Sequence, residues 1–320
     1  MSSCRVFVAF FVVLHHVLPD IIPVAKSLSI QQPPSKNPDV LRSYVFGDDA
    51  RCWEVLSPSS TPDEEEDEVE YWYPTRKRSF EFSIPSASIA SSTATTIRQT
   101  SFGCGKLGAQ VWVSGIALCL YLGQCRQQES SLVAEKRVLE LGAGCGLPSV
   151  VCRDEFEASA VLATDFWDTE TEGFDKDRLV PTKFHGLNLE HNVLLGSSEE
   201  VRSTVQRLDW HDPAGAEAVR DSFQPDLVIG SDLIYYPMDV EPLLNVLEIL
   251  LAGEKGKGTT RAVLVSPLAP TEREALPEFR SKLPDRFSQT HTVTMKEMDL
   301  VRDDTSGEDS AHIVIHIDPK

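Results

Sequence analysis

Residues Glu140 to Gly146 read E-L-G-A-G-C-G, so three glycines fall at alternate positions beginning two residues after a carboxylate. Gly142, Gly144 and Gly146 put no Cβ between the backbone and a ligand, and amides opening a following helix can face that ligand's polar groups. A dinucleotide fingerprint places its third glycine three residues after the second. Here Leu147 holds that place and the third glycine is Gly146. Asp165 follows Gly144 by 21 residues. In nucleoside-binding doubly wound sheets a carboxylate at that distance, ending the next strand, accepts hydrogen bonds from ribose hydroxyls. Further on, Asp232 and Tyr235 stand three apart in the string Gly230 to Tyr235 (GSDLIY). On a strand that turns out of its sheet both border one pocket. There a carboxylate orients an amine, and an aromatic face lowers the cost of desolvating it.

These groups need strands to carry them to a common edge. Three of the four residues before Gly142 are apolar, and a glycine turn and a new apolar run follow, which predicts a buried strand, a tight loop and a helix. Upstream, Ala109 to Leu122 has apolar residues at helical spacing. Downstream, strands are predicted at Ala160 to Asp165, Val205 to Leu208, Asp226 to Ile234 and Ala262 to Leu268, with helices at Val240 to Ala252 and near Glu272 to Leu283. Two last strands, around Ser288 to Thr294 and Ile313 to Ile317, follow each other closely and suggest an antiparallel edge hairpin. Alternating strands and helices define an α/β fold: a mainly parallel, doubly wound sheet covered on both faces. The Lys255 to Gly258 string (KGKG) lacks the strand-to-helix context of a phosphate cradle and reads as a loop.

The 320 residues, 41% of them apolar, suffice for a sizeable core, and the net charge of -19 disfavours a phosphate-backbone partner. Nucleic acid is therefore not the expected substrate. A basic protein would be attracted, although acidic surfaces also serve solubility alone. The seven cysteines are scattered without a C-x-x-C pair, and His185, His191 and His211 show no metal spacing, so no metal is expected. Val6 to Leu14 is an unbroken apolar run, too short to span a bilayer, with Ala25-Lys26-Ser27 as a small-x-small cleavage pattern. It reads either as an organelle or secretory targeting signal or as an apolar leader packed on the domain. Asp63 to Glu70 packs seven carboxylates into eight positions and reads as a solvated linker, while Lys77 to Ile89 suggests a hairpin or edge strand.

The E-x-G-x-G-x-G form resembles motif I of the S-adenosylmethionine (SAM) dependent methyltransferases. Joined by Val111-Trp112, Thr164-Asp165, Asn188 to Val193 (NLEHNV), Asp209-Trp210 and Ser231 to Tyr235, it resembles the seven-strand protein lysine methyltransferases, the nicotinamide-N-methyltransferase-like group. The resemblance covers Gly108 to Leu268. It implies a Rossmann-like seven-stranded sheet, SAM as cofactor, a protein substrate carrying a target lysine, and a cytoplasmic location. Carried over by position, it implies that Trp112 flanks the cofactor and that Gly142, Ala143 and Gly144 meet it by backbone. Asp165 then holds the ribose, Trp210 lies beside the adenine, Ser231 borders the cofactor, and Asp232 and Tyr235 face the target amine. Family members often carry alanine where this chain has Ser231, and the stretch Phe166 to Gly186 is longer and more charged than the family leads one to expect. On this reading residues 1–30 are a targeting or apolar leader, 31–97 a low-order extension with a possible hairpin, and 98–320 the methyltransferase domain. Two rival readings stay open: a small-molecule N- or O-methyltransferase, since motif I is blind to the acceptor, and a non-catalytic binding protein of the same fold. Oligomeric state is not legible.

Overall fold

The computed structural model describes residues 42–48, 52–56, 71–83, 95–100, 108, 110–127, 131–167, 184–195, 202–252, 259–268, 275–298, 301–303 and 308–320. The readings made for residues 1–30, for the acidic run 63–70, for the loop 255–258 and for 168–183 of the long stretch fall outside them. Ahead of the main sheet, β1 (Arg42–Asp48), β2 (Cys52–Leu56), β3 (Tyr71–Ser83) and β4 (Thr95–Thr100) form an antiparallel sheet in which β3 pairs with the other three.

The rest alternates strands with helices, two of which, over 184–194 and 213–223, are not predicted from the sequence. Helix α1 (Val113–Gln127) leads to β5 (Arg137–Leu141), α2 (Leu147–Asp154), β6 (Ala160–Asp165), α3 (Phe184–Leu194) and β7 (Arg202–Arg207). Then come α4 (Pro213–Phe223), β8 (Leu227–Ser231), α5 (Val240–Leu251), β9 (Arg261–Pro267), α6 (Ala275–Phe287) and β10 (His291–Glu297). A small hairpin, β11 (Val301–Asp303) and β12 (Glu308–Ser310), precedes the last strand, β13 (His312–Pro319).

The seven-stranded sheet has the order β10-β13-β9-β8-β5-β6-β7. Strands β9, β8, β5, β6 and β7 run parallel, while β13 is antiparallel to both β9 and β10. The antiparallel edge expected from the last two strands is therefore present. After β5 the chain moves outward through β6 and β7, then returns to lay β8 and β9 on the other side. This reversal opens a crevice beyond the carboxyl ends of β5 and β8, the place where doubly wound sheets take ligands.

Alternation along each strand feeds two cores. Val138, Leu227, Ile229, Val263 and Val265 point to α1, α2 and α3, whereas Leu139, Leu141, Val228, Ala262 and Leu264 point to α4, α5 and α6. Helix α5 shows why: Val240, Leu243, Leu244, Leu247, Leu250 and Leu251 recur at helical spacing and are all buried. Burying such Leu and Val side chains contributes roughly 1.5–3 kcal/mol each, so this helix anchors its face of the sheet. No helix among the described residues is long and apolar enough to cross a membrane. Cys119, Cys125 and Cys152 are buried free thiols, and Cys145 is buried beside the Gly108 carbonyl.

Two boundaries shift in ways that matter for the crevice. Helix α1 starts at Val113 rather than Ala109, and the Trp112 carbonyl accepts hydrogen bonds from Gly115 and Ile116 at its first turn. That leaves Gln110 to Trp112 free to wall the crevice. Strand β8 ends at Ser231, three residues short of the predicted Ile234, because Asp232 takes a left-handed conformation (φ 58°) and turns the chain out of the sheet.

Candidate functional site

A cavity of about 630 Å³ opens at the carboxyl ends of β5, β6 and β8, within the usual size of small-molecule sites. Its floor is the turn after β5. Gly142 has φ 58°, and a Cβ there would lie 2.8 Å from a Leu233 methyl and 3.6 Å from the Trp210 ring. A side chain would be strained and would enter the space between Trp210 and the loop. Gly146 has a different reason to be glycine. Its φ is 79°, and a Cβ would meet Leu189 and Val193 of α3 at 2.8 Å, so the third glycine serves packing rather than the cavity.

The turn is pinned from both sides. Ala143 N–H donates to the Thr164 carbonyl at 3.0 Å, and the Thr164 hydroxyl donates to the Glu140 carbonyl at 2.7 Å. The Asp165 carboxylate accepts from Gly144 N–H at 2.5 Å and from Phe166 N–H at 2.6 Å. Asp165, at the end of β6, thus lies in direct contact with the glycine turn, as the 21-residue spacing predicts. Beneath the turn the Glu140 carboxylate accepts from the N–H and hydroxyl of Ser149, at 2.9 and 2.5 Å, in the first turn of α2. Burial pushes the Glu140 carboxyl up to about 8; the two Ser149 bonds oppose that rise and the Asp165 charge adds to it.

The walls come from three further segments. Trp112 and Gln110 line one side, ahead of α1. Asp209, Trp210 and His211 follow β7 and line the other. Ser231, Asp232, Leu233 and Tyr235 come off the end of β8, where Asp232 N–H is held by the Val265 carbonyl of β9 at 2.9 Å. All nine residues singled out in the sequence, Trp112, Gly142, Ala143, Gly144, Asp165, Trp210, Ser231, Asp232 and Tyr235, border this one cavity. A nucleoside-bearing cofactor needs close backbone approach, a carboxylate for its hydroxyls and flat apolar walls, and Gly142, Asp165 and the two tryptophans supply them.

The structure adds wall residues that had no assigned role in the cavity: Phe166, Trp167, Asp209, His211, Tyr236 and Asp239. Asp209 and His211 adjoin Trp210, and Tyr236 and Asp239 adjoin Tyr235. The only signal in the sequence was this proximity to residues already chosen. Asn192, inside the Asn188 to Val193 string but given no role there, is buried on α3. Its carbonyl oxygen accepts from Arg98 N–H of β4 at 2.9 Å, and its amide donates to the Arg98 and Cys145 carbonyls at 2.8 Å each. One side chain thus ties the outer sheet to the glycine turn.

Fold and cavity together define a doubly wound α/β protein with a nucleoside-type site at its switch point. The family can be stated more closely, because the family model described as lysine methyltransferase matches residues 91–266, and the chain belongs to that family. It is 30% identical over 148 residues to the human protein-lysine N-methyltransferase EEF2KMT, covering 46% of this chain and 42% of that protein. It is 30% identical over 157 residues to the protein-lysine N-methyltransferase EFM3 of Chaetomium thermophilum, covering 46% and 39%. Against the Danio rerio protein N-lysine methyltransferase METTL21A it is 27% identical over 203 residues, covering 61% and 77%. The match to human EEF2KMT thus spans less than half the length of that relative.

Proposed function

We propose that this protein transfers a methyl group from SAM to a lysine side-chain amine of a protein substrate. The observation that carries the reading is the meeting, in one cavity, of a cofactor half and an acceptor half: Gly142, Asp165 and Trp210 beside Asp232 and Tyr235. Membership of the lysine methyltransferase family supports it.

When bound, SAM supplies an electrophilic methyl on a sulfonium, so that a carbon–nitrogen bond forms as the carbon–sulfur bond breaks in line. The chain's own part is placement. The main chain of Gly142 to Gly144 would form the floor, and Asp165 would accept from the ribose hydroxyls. Trp112 and Trp210 would flank the cofactor, with Trp210 beside the adenine, and Ser231 would border it. Asp232 orients the incoming amine after it has lost its proton to solvent, and the Tyr235 ring offsets the cost of removing water from it. No strong base is required. Alignment of amine, methyl and sulfur in one pocket can contribute roughly 7–11 kcal/mol in well-oriented systems, and this is the main source of rate.

The test is to incubate the protein with methyl-labelled SAM and cell extract. Labelled lysine in a discrete protein band is expected, with Asp232→Ala abolishing the label and sparing SAM affinity. Unlabelled protein alongside labelled metabolites would overturn the substrate class, and loss of SAM affinity in Asp232→Ala would move Asp232 to the cofactor side.

A further inference from the structure

The five large apolar side chains exposed among the described residues are not scattered evenly. Phe166 (44% exposed), Tyr236 (56%) and Met238 (73%) lie at or next to the cavity mouth, leaving only Leu194 and Leu195 elsewhere, at the end of α3. Tyr236, Met238 and Asp239 share the short 3-10 turn (Pro237–Asp239) and its cap, directly after the proposed acceptor residues. An aromatic ring and a methionine offered to water on the rim of a site are a common mark of an interaction surface.

The same rim carries charge. Asp239 lines the cavity, and no hydrogen bond to its carboxylate comes from the described residues. Burial raises its carboxyl above the usual range, the nearby His211 opposes this and Asp209 adds to it. Asp209 stands on the facing loop, 3.4 Å from the His211 ring and 4.0 Å from the Arg207 guanidinium. Asp209 and Asp239 both line this mouth, and a cation between two like charges relieves their repulsion. Neither carboxylate is among the groups assigned above to the cofactor or to the acceptor amine.

We propose that this mouth docks the substrate segment on either side of the methylated lysine. A large apolar side chain beside that lysine rests on Tyr236 and Met238, and a further Lys or Arg enters between Asp239 and Asp209. The occupant is thus a basic, apolar-flanked stretch of the protein substrate, matched in sign to a chain of net charge -19. The inference rests on the lysine reading above and gives it a sequence preference.

The experiment uses three fluorescein-labelled peptides with a central lysine, carrying Leu before it and Arg two residues after, Leu and Glu, or Ala and Arg. Binding to the full chain loaded with S-adenosylhomocysteine is followed by anisotropy. The Leu/Arg peptide should bind at least about ten-fold more tightly than the Leu/Glu peptide, since two partly exposed ion pairs are exchanged for repulsions. In the double variant Asp209→Asn/Asp239→Asn that ratio should fall below about two-fold. Met238→Ser should remove a preference of roughly five-fold for Leu over Ala. Calorimetric affinity for S-adenosylhomocysteine, measured for each variant, separates a docking defect from a collapsed pocket. Equal binding of the Arg and Glu peptides by the unaltered chain, or a preference that survives the double variant, overturns the proposal. Labelled lysine in the extract experiment with no peptide preference overturns the docking surface alone; no labelled protein at all overturns the reading beneath it.

Discussion

Asn192→Ala puts the link between the outer sheet and the site to a quantitative test. The substitution deletes three hydrogen bonds of 2.8–2.9 Å and leaves the Arg98 N–H, the Arg98 carbonyl and the Cys145 carbonyl without that partner. Arg98 and Cys145 are 8% and 2% exposed, so bulk water does not reach these groups. A buried main-chain group left unsatisfied costs about 1–3 kcal/mol. Three such groups, less one restored by an entering water, give a loss of about 2–6 kcal/mol. Urea unfolding with an unchanged slope should report it directly. Hydrogen exchange should show the Arg98 amide opening far faster, because β4 then detaches without global unfolding. Asn192→Asp keeps an acceptor for Arg98 N–H but turns a carboxylate oxygen toward two carbonyls. It should be at least as destabilising at neutral pH and should recover on acidification. A loss below about 1 kcal/mol with unaltered Arg98 exchange would refute the reasoning and assign the strand's attachment to other contacts.

Other expectations follow from the same geometry. Because the folded pKa of Glu140 is raised to about 8 from an unfolded value near 4.5, the folded state binds the extra proton and stability falls as pH rises through that window. Glu140→Gln keeps an acceptor for the Ser149 N–H and hydroxyl, so melting curves from pH 5 to 9 should flatten at the alkaline side; an unchanged slope would contradict the assignment. His312, buried against the Ser114 hydroxyl at 3.2 Å, has its pKa lowered by burial to about 4, so its contribution, present above about 6.5, is lost as pH falls toward 4. His312→Gln should reduce that acid-side loss. Gly142→Ala adds a methyl at φ 58° against Leu233. It should cost about 1–2 kcal/mol in unfolding and weaken SAM binding at least about ten-fold by calorimetry; normal affinity would remove Gly142 from the cofactor floor.

Much of this was legible because buried parallel strands read as plain apolar runs, and Ala160 to Asp165 is found at the predicted bounds. The site was legible for a related reason. Residues just past such strands meet at one sheet edge, so Gly142 and Asp165 could be placed together from their spacing, and Asp232 from the resemblance carried by the string around it. Helix α4 was missed because only Ala216 and Val219 of its 11 residues are buried, too few to show a period. Strand β8 was overextended, since Leu233 and Ile234 continue the apolar run while Asp232 has already left the sheet. The role of Asn192 could not be read, because it depends on Arg98, 94 positions earlier in the chain. The pairing of Asp209 with Asp239 escaped for the same reason. They flank one mouth only because the turn after β8 and the loop after β7 converge above β5 and β6, strands that separate β8 from β7 in the sheet.

The central claim is that the crevice between the glycine turn and Asp165 takes the nucleoside end of SAM. Isothermal titration of SAM into the purified chain, beside Asp165→Ala, tests it most directly. One-to-one binding is expected, weakened about 10- to 100-fold in the variant, because hydrogen bonds to a charged acceptor contribute about 1.5–3 kcal/mol. Absence of heat with the unaltered chain, or equal affinity in Asp165→Ala, would contradict it.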